Sequence, residues 1–479
     1  MNGAANKPQT GDELELEIDS LAFGGKGVAR RSGFVIFVEG AVPGDRVMAA
    51  VTRARRSYAE ARVVKLLNDS PARVAPVCQH FGVCGGCSWQ TLAYAAQLRY
   101  KQQQVSDCLE RIGGLTGFEV DEPQGAEPLW RYRNKVEFSF APCSPGAVAA
   151  KAQQPASGVV TEAKAAAGVG LGFHLPGEWR RVVDIEDCLL HSKATNAIRD
   201  AVREYARASG LAAWDQKSET GFWRHLVLRE GSNTGEIMVN IVTGPGDFPG
   251  AADFAAQLTS RFPRIASLVW SVNETRASVA TGFPYKVLAG RGYIHEEICG
   301  LKLRVSPPSF LQTNTTMAER LYRKAFEYAD LKGDEFVIDL YSGLGSIALF
   351  LAKSCAEVFG VEIVEDAVRL ARQNALDNGI VNSRFTAGKV RAVLKDIDLD
   401  RRPDLIILDP PRAGASKKEV QRVIDLEAPR LVYVSCNAST LAGNAAQLAE
   451  AGYRLVRTGA VDMFPHTPHI EVVARFERD

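Results

Sequence analysis

No apolar run in this 479-residue chain approaches the roughly 20 residues that a bilayer-spanning helix needs, so a transmembrane protein is not expected. The first ten residues are polar and hold no apolar core, which argues against a secretory signal. Charge of neither sign is in excess: 57 Lys and Arg stand against 56 Asp and Glu. Without a global field to draw in nucleic acid, any RNA or DNA contact has to come from local patches. These absences point to a cytoplasmic protein with no membrane partner. Its nine cysteines are then reduced thiols, available for metal binding or catalysis and not for a disulfide framework. No protein partner is evident, and a monomer is the default. The length exceeds one ordinary core and suggests about three domains.

What is present begins with short strands. Leu14, Leu16 and Ile18 alternate with acids at period two, Gly24-Gly25-Lys26-Gly27 interrupts, and residues 34–38 form an apolar strand. Ala41-Val42-Pro43-Gly44-Asp45 is turn chemistry, and another strand starts at Arg46. Short strands in such succession suggest a small closed barrel of the OB type. Arg53, Arg55, Arg56 and Arg62 stand against a single acid, Glu60. That run reads as a solvated strand face or, on a barrel type that often binds oligonucleotides, as RNA contact.

Cys78, Cys84 and Cys87 follow, with glycines between them that let the backbone fold round a metal. A fourth ligand is needed, and Cys188 is the best candidate, with Cys108 and Cys143 behind it. His80 lies inside the loop and reads as a turn residue. Zinc sites usually show paired short spacings on both sides, whereas only one side is clustered here, which favours a [4Fe-4S] cluster. Residues 90–112 read as a polar helix, and Trp130-Arg131-Tyr132-Arg133-Asn134-Lys135 opens an alternating strand, 136–140. Its interleaved basic and aromatic residues suit stacking and phosphate contact, or simply an exposed sheet face. Residues 142–168, rich in Ala, Gly, Gln and Pro, read as a surface insertion without assigned function. Strands at 226–229, 237–242 and 267–272 and helices at 194–206 and 251–261 then make an α+β domain, in which His225 is expected to be packed or solvated.

From Leu303 the alternation of strand and helix implies a parallel, doubly wound sheet. Val337-Ile338-Asp339-Leu340-Tyr341-Ser342-Gly343-Leu344-Gly345-Ser346 is a strand, a glycine turn and a helix start. Glu362, ending the next strand, can take both hydroxyls of a ribose, which suits nicotinamide dinucleotides as well as S-adenosylmethionine. Two further strand ends carry Asp409-Pro410-Pro411-Arg412 and Ser435-Cys436-Asn437. An acid followed by Pro-Pro resembles the loop where adenosylmethionine-dependent methyltransferases present a base. A separate cysteine suggests methylation of a pyrimidine at its fifth carbon, which needs a thiolate on the sixth to make it nucleophilic. The proton left on the fifth carbon then requires a base. Glu471, opening the last apolar strand, is the candidate, with His466 and His469 as rivals.

Together, DPPR, SCN, the C-terminal HIE, Gln312-Thr313-Asn314 and DLYSGLG resemble the RNA uracil-C5 methyltransferases. The N-terminal barrel resembles a TRAM domain, and C-x5-C-x2-C with a distant cysteine resembles the iron–sulfur module of the 23S rRNA member. The resemblance implies three domains: an OB-type TRAM barrel at 8–68; a central α+β domain at 69–302, with a helix at 90–122 that packs on the catalytic domain; and an α/β doubly wound class I methyltransferase domain at 303–479. It implies Cys436 as nucleophile and Glu471 as base. S-adenosylmethionine would be held by Gln312, Tyr341, Gly343, Gly345, Ser346, Glu362 and Asp409, and a [4Fe-4S] cluster by Cys78, Cys84, Cys87 and Cys188. Tyr341 stands where relatives often have Phe, and Ser346 where they often have Asn. The implied activity makes 5-methyluridine in a 23S rRNA loop, through a covalent adduct on a flipped uridine. The alternatives are a tRNA uridine, cytosine-C5 methylation, or an RNA-binding iron–sulfur protein with an inactive methyltransferase domain.

Overall fold

The period-two alternation around Leu14 and Leu16 becomes β1 (Glu13–Glu17), with both leucines buried. It belongs to a computed structural model that describes residues 7–143, 168–397 and 401–478; most of the 142–168 stretch and the Cys143 side chain lie outside the described residues. The described residues divide into two compact units, one holding those up to Gln104 with Phe464–His469, the other the rest of them.

In the first unit, β1, β2 (Ser20–Leu21), β3 (Gly27–Arg31), β4 (Phe34–Glu39), β5 (Arg46–Ala54) and β6 (Tyr58–Asn68) form one sheet in the order β1-β5-β6-β4-β3-β2. β1 also approaches β3, which brings the two ends of the sheet towards each other round a core of Leu16, Ile36, Val38, Val47 and Ala59. The turn before β5 is pinned by Asp45, fully buried, whose carboxylate accepts from the amides of Val42 (2.6 Å) and Ser70 (2.9 Å) and from Arg73 Nε (3.0 Å). Helix α1 (Tyr94–Arg111) starts later than the pattern over 90–112 suggested and ends with it, well short of the 122 of the wider expectation. At its start the Leu92 amide turns back to Trp89 O and the Ala93 amide to Ala72 O; beyond its end Gly114 and Gly117 adopt positive φ and the chain enters β7 (Glu119–Val120).

In the second unit a seven-stranded sheet comes first. It contains β8 (Lys135–Cys143), β9 (Gly168–Leu175), β10 (Glu178–Asp184), β11 (Trp223–Glu230), β12 (Ile237–Thr243), β13 (Ile265–Val272) and β14 (Tyr285–Gly290), with α2 (Lys193–Ala208) between β10 and β11 and α3 (Ala251–Arg261) between β12 and β13. The strand order is β10-β9-β8-β11-β12-β13-β14, and Phe138, Phe140, Leu226 and Leu228 from one face pack against Ile198 and Val202 of α2 and Phe254 and Leu258 of α3. A hairpin, β15 (Ile294–Ile298) and β16 (Leu301–Val305), leads to α4 (Thr315–Ala329).

The last sheet is built from β17 (Phe336–Leu340), α5 (Ser346–Ala352), β18 (Glu357–Glu362), α6 (Glu365–Asp377), β19 (Ser383–Ala387), α7 (Val390–Asp396), β20 (Leu405–Leu408), α8 (Lys417–Asp425), β21 (Arg430–Ser435), α9 (Ala438–Glu450), β22 (Arg454–Val461) and β23 (Glu471–Glu477). Its order is β19-β18-β17-β20-β21-β23-β22-β7. The expected parallel arrangement holds for β17 to β21, but β23 runs antiparallel between β21 and β22. The link from β22 to β23 contains no helix, and without a crossover element consecutive strands pair antiparallel. β7 closes the edge from far upstream, parallel to β22. Among the described residues no helix is long and apolar enough to cross a membrane.

Candidate active site

The carboxyl ends of β17, β18, β20 and β21 lie side by side in the sheet, which is where an open α/β sheet binds ligands. The apolar interiors of β17, β20 and β21 are buried, so most of the chemistry falls to residues at and just past the strand ends. After β17 the chain turns sharply: Tyr341 takes φ +66°, Gly343 +54° and Gly345 +87°. At Gly345 a side chain would also meet Ala371 Cβ and Phe385 Cζ at 3.2 Å, so the turn demands glycine on both counts. The Glu362 carboxylate, just across on β18, accepts from the Gly343 amide (3.0 Å) and the Val364 amide (2.9 Å) and holds the turn in place. Ser346 starts α5 with its hydroxyl bonded to Tyr322 (2.9 Å), so that hydroxyl already has a protein partner.

Within the same turn two polar groups are less well served. Asp339 is almost wholly buried, and neither of its carboxylate oxygens makes a well-formed hydrogen bond among the described residues, the Ala348 amide being its one weak neighbour; the Ser342 hydroxyl likewise meets no partner there. Burial raises the Asp339 carboxyl well above the usual range, the charges of Asp409 and Glu362 push the same way, and the Ala348 amide opposes them. Sequence reasoning passed over Asp339. The available signal was an acid inside the otherwise apolar run Val337-Ile338-Asp339-Leu340.

The Asp-Pro-Pro-Arg loop follows β20 and is fastened to the first turns of α9. Gly414 closes a turn onto Pro411 O (2.7 Å), and the Ala415 amide donates to Asn444 Oδ1 (3.0 Å). Asn437 caps α9 with Oδ1, accepting from the Ser439 and Thr440 amides, while its Nδ2 donates to Arg412 O (3.1 Å). Cys436 is thus fixed between β21 and a cap that also grips the neighbouring loop. Asn437 and Asn444 had no assigned role at the level of sequence.

Electrostatics bring three of the expected residues together. The half-buried Cys436 thiol is pushed up to about 11, first by burial and then by the Glu471 and Asp409 charges, against Arg412. Glu471 is 3% exposed at the head of β23, and burial with the charge of Asp409 raises it well above the usual carboxylate range. Asp409 is partly open to solvent as a residue, yet burial of its carboxyl raises it to about 7. Gln312 is buried, with its backbone oxygen held by Asn134 Nδ2 (3.0 Å). Of the two rivals to Glu471, His466 is buried in the first unit, its amide donating to Gln97 Oε1 (2.9 Å), and His469 packs edge-on to Phe464.

Cys78, Cys84 and Cys87 are half-buried on a loop where the Cys84 amide donates to His80 O and the Gly86 amide to Cys84 Sγ (3.3 Å). Cys188 lies beyond β10 in the second unit, its amide donating to Asn196 Oδ1 (3.0 Å) and its carbonyl accepting from Arg131 Nη1 (2.7 Å). Among the described residues no group of three or more His, Cys, Asp or Glu side chains is arranged to hold a metal ion.

A mainly parallel sheet with a glycine turn, an acid ending the second strand and a Pro-Pro loop defines a methyltransferase of the S-adenosylmethionine-dependent class. Residues 286–478 match the family model described as tRNA (Uracil-5-)-methyltransferase, and residues 7–64 match the TRAM domain. An uncharacterized RNA methyltransferase of Porphyromonas gingivalis is 40% identical over 97% of this chain and 100% of its own length. One from Halalkalibacterium halodurans is 37% identical, covering 97% of each chain. The crystal structure of the Pyrococcus abyssi tRNA (uracil-54, C5)-methyltransferase in complex with S-adenosyl-L-homocysteine superposes with a TM-score of 0.73 at 29% identity, over 97% of this chain and 100% of that one. The chain belongs to the RNA uracil-5-methyltransferase family, S-adenosylmethionine-dependent enzymes, and carries a TRAM domain at its N-terminal end.

Proposed function

We propose that the enzyme methylates C5 of a uridine in a 23S rRNA loop, with Cys436 as nucleophile and Glu471 as base. The observation that carries this reading is the convergence of Cys436, Glu471 and Asp409: the charges of Glu471 and Asp409 both act on the Cys436 thiol, and that of Asp409 acts on Glu471. The flipped uracil enters between the two strand ends; the Cys436 thiol releases its proton to solvent, and the thiolate adds through Sγ to C6, moving the ring electrons to C5 and O4. S-adenosylmethionine, when bound, supplies the methyl group. The Glu471 carboxylate then takes the proton from C5, and the thiolate leaves as the C5–C6 double bond re-forms. A raised carboxyl is a stronger base than an ordinary one, and its burial keeps water from competing for the proton. Gln312, Tyr341, Gly343, Gly345, Ser346, Glu362 and Asp409 hold the cofactor. The Asp339 carboxylate, with no well-formed hydrogen bond, and the Ser342 hydroxyl fit a polar ligand at that turn.

In the same reading the chain has a barrel at 8–68, a central domain at 69–302 and a catalytic domain at 303–479, and Cys78, Cys84, Cys87 and Cys188 hold a [4Fe-4S] cluster. The thiol donor set and the Gly86 amide aimed at Cys84 Sγ suit a thiolate-ligated cluster. A tRNA uridine is the second reading, favoured by the likeness to the Pyrococcus abyssi enzyme. Both substrates are tested together by incubating the enzyme with 23S rRNA and with tRNA and mapping 5-methyluridine by mass spectrometry. Cys436→Ala is expected to abolish product, and Glu471→Gln to trap an RNA–protein adduct that survives denaturing electrophoresis. Continued methylation by Cys436→Ala would overturn the covalent route, and methylation confined to tRNA would overturn the rRNA assignment.

A further inference from the structure

The central sheet covers one face with α2 and α3 and turns a different set of residues to the other. Register places Lys135 opposite Arg229, Glu137 opposite Val227 and Ser139 opposite His225, so all six share that second face. Residues between them on the same strands, Val136, Phe138, Leu226 and Leu228, fill the helix-covered core. A half-polar sheet face is ordinary, but this one carries an imbalance of charge and of hydrogen bonds.

Arg229 is 4% exposed; Nη2 donates to Ser309 O (2.7 Å), whereas Nη1 has no partner among the described residues. His225, 5% exposed, is in the same position: Nδ1 meets Ser139 Oγ (3.3 Å) and Nε2 meets nothing described. A buried guanidinium N–H without an acceptor is costly, and such groups persist where a ligand completes them. The nearest anion is Glu137, and it is already used by Lys135, whose Nζ lies 2.7 Å from Oε1. The fields that meet at this face come from Arg133, Lys135 and Arg229 against that single carboxylate. Lys135 and Glu137 keep 19% and 43% of their side chains open, so the face is reached from solvent at this ion pair, with Arg229 and His225 buried beside it. It also adjoins the catalytic domain: Arg229 holds Ser309, and Asn134, next to Arg133, holds the Gln312 carbonyl and the Thr315 hydroxyl (2.8 Å).

We propose that Lys135, His225 and Arg229, grouped round Glu137, form a subsite for a phosphodiester of the RNA strand that carries the target uridine. A phosphodiester supplies what the face lacks: anionic oxygens for the buried, unpartnered Arg229 donor and a counter-charge for the two cations left over. Glu137 holds Lys135 in place until the phosphate arrives and competes with it afterwards. The proposal rests on the reading of the chain as an RNA uridine methyltransferase.

The test measures binding of a uridine-containing RNA that the wild-type enzyme methylates, as a function of salt. Lys135→Gln is expected to weaken binding about fivefold and to flatten the plot of log K against log salt by about 0.7, the value for one phosphate of a single strand. Glu137→Gln is expected to tighten binding about threefold, with S-adenosylmethionine affinity unchanged in both variants. Arg229→Lys, which keeps the charge but not the fork, is expected to weaken RNA binding if it folds; Lys135→Gln carries the test if it does not. A purely structural ion pair predicts that Glu137→Gln weakens binding like Lys135→Gln, and that result overturns the subsite. So does displacement of RNA by inorganic phosphate beyond chloride at matched ionic strength, which would assign the face to a free anion. Unchanged binding in every variant, with wild-type methylation intact, removes the subsite alone. Absence of methylation of any RNA by the wild type removes the parent reading with it.

Discussion

At the scale of single residues the site is a set of groups held away from their ordinary protonation states. The proposed roles of Cys436, Asp409 and Glu471 could be argued from sequence because each is a reactive residue type at one end of an apolar strand, in a motif with a family resemblance. Asp339 was not legible there, because its isolation depends on β18 and β20 flanking β17, a pairing that no local pattern reveals. The raised carboxyls also have a thermodynamic consequence. An unfolded Asp titrates near about 3.9, whereas Asp409 in the folded protein does so at about 7, so between those values the folded state holds the proton more tightly. Its favourable contribution is complete below about pH 4 and is lost as pH rises through about 7. Asp409→Asn removes that loss. Allowing for solvent screening at a partly open group, the ligand-free variant should exceed the wild type by about 1–2 kcal/mol at pH 8, with the gap closing towards pH 5. Urea unfolding at the two pH values measures it, and equal midpoints at pH 8 would show that the site imposes no such cost.

Among the elements, α9 does two jobs with its first turns, capping itself and gripping the Asp-Pro-Pro-Arg loop. Strand and helix alternation made β17 to β21 and their helices readable. The antiparallel return of β23 and the capture of β7 at the sheet edge were not, since both depend on pairings between segments that no local pattern announces. The double role of Asn437 was hidden for a related reason: SCN marks a cap, but nothing in it announces the bond to Arg412 O. The two roles can be separated. Asn437→Ser keeps a capping oxygen and loses the donor to the loop, so kcat should fall about tenfold with little change in stability. Asn437→Ala loses both and should cost about 1 kcal/mol in addition. Steady-state kinetics with thermal unfolding distinguish them; equal kcat in Asn437→Ser and wild type would mean that the loop keeps its place unaided.

Taken as a whole molecule, an RNA enzyme with 57 basic and 56 acidic residues cannot depend on its net field to find its substrate. At physiological salt, charges are screened within about 8 Å, so what the RNA feels is each patch at contact distance. Asp45 and its partner Arg73, and Lys324 with Asp121 at 2.6 Å, are examples of charge already neutralised internally. Local contacts of this kind act after encounter, on the lifetime of the complex. The RNA association rate constant should therefore change less than about threefold between 50 and 200 mM salt, at roughly 10⁵–10⁷ M⁻¹s⁻¹, with most of the salt dependence in dissociation. Stopped-flow association and chase experiments resolve the two rates. An association rate that falls tenfold or more over that range would mean that the basic groups are arranged as one coherent field, and the balanced composition would then be hiding a strongly polarised molecule.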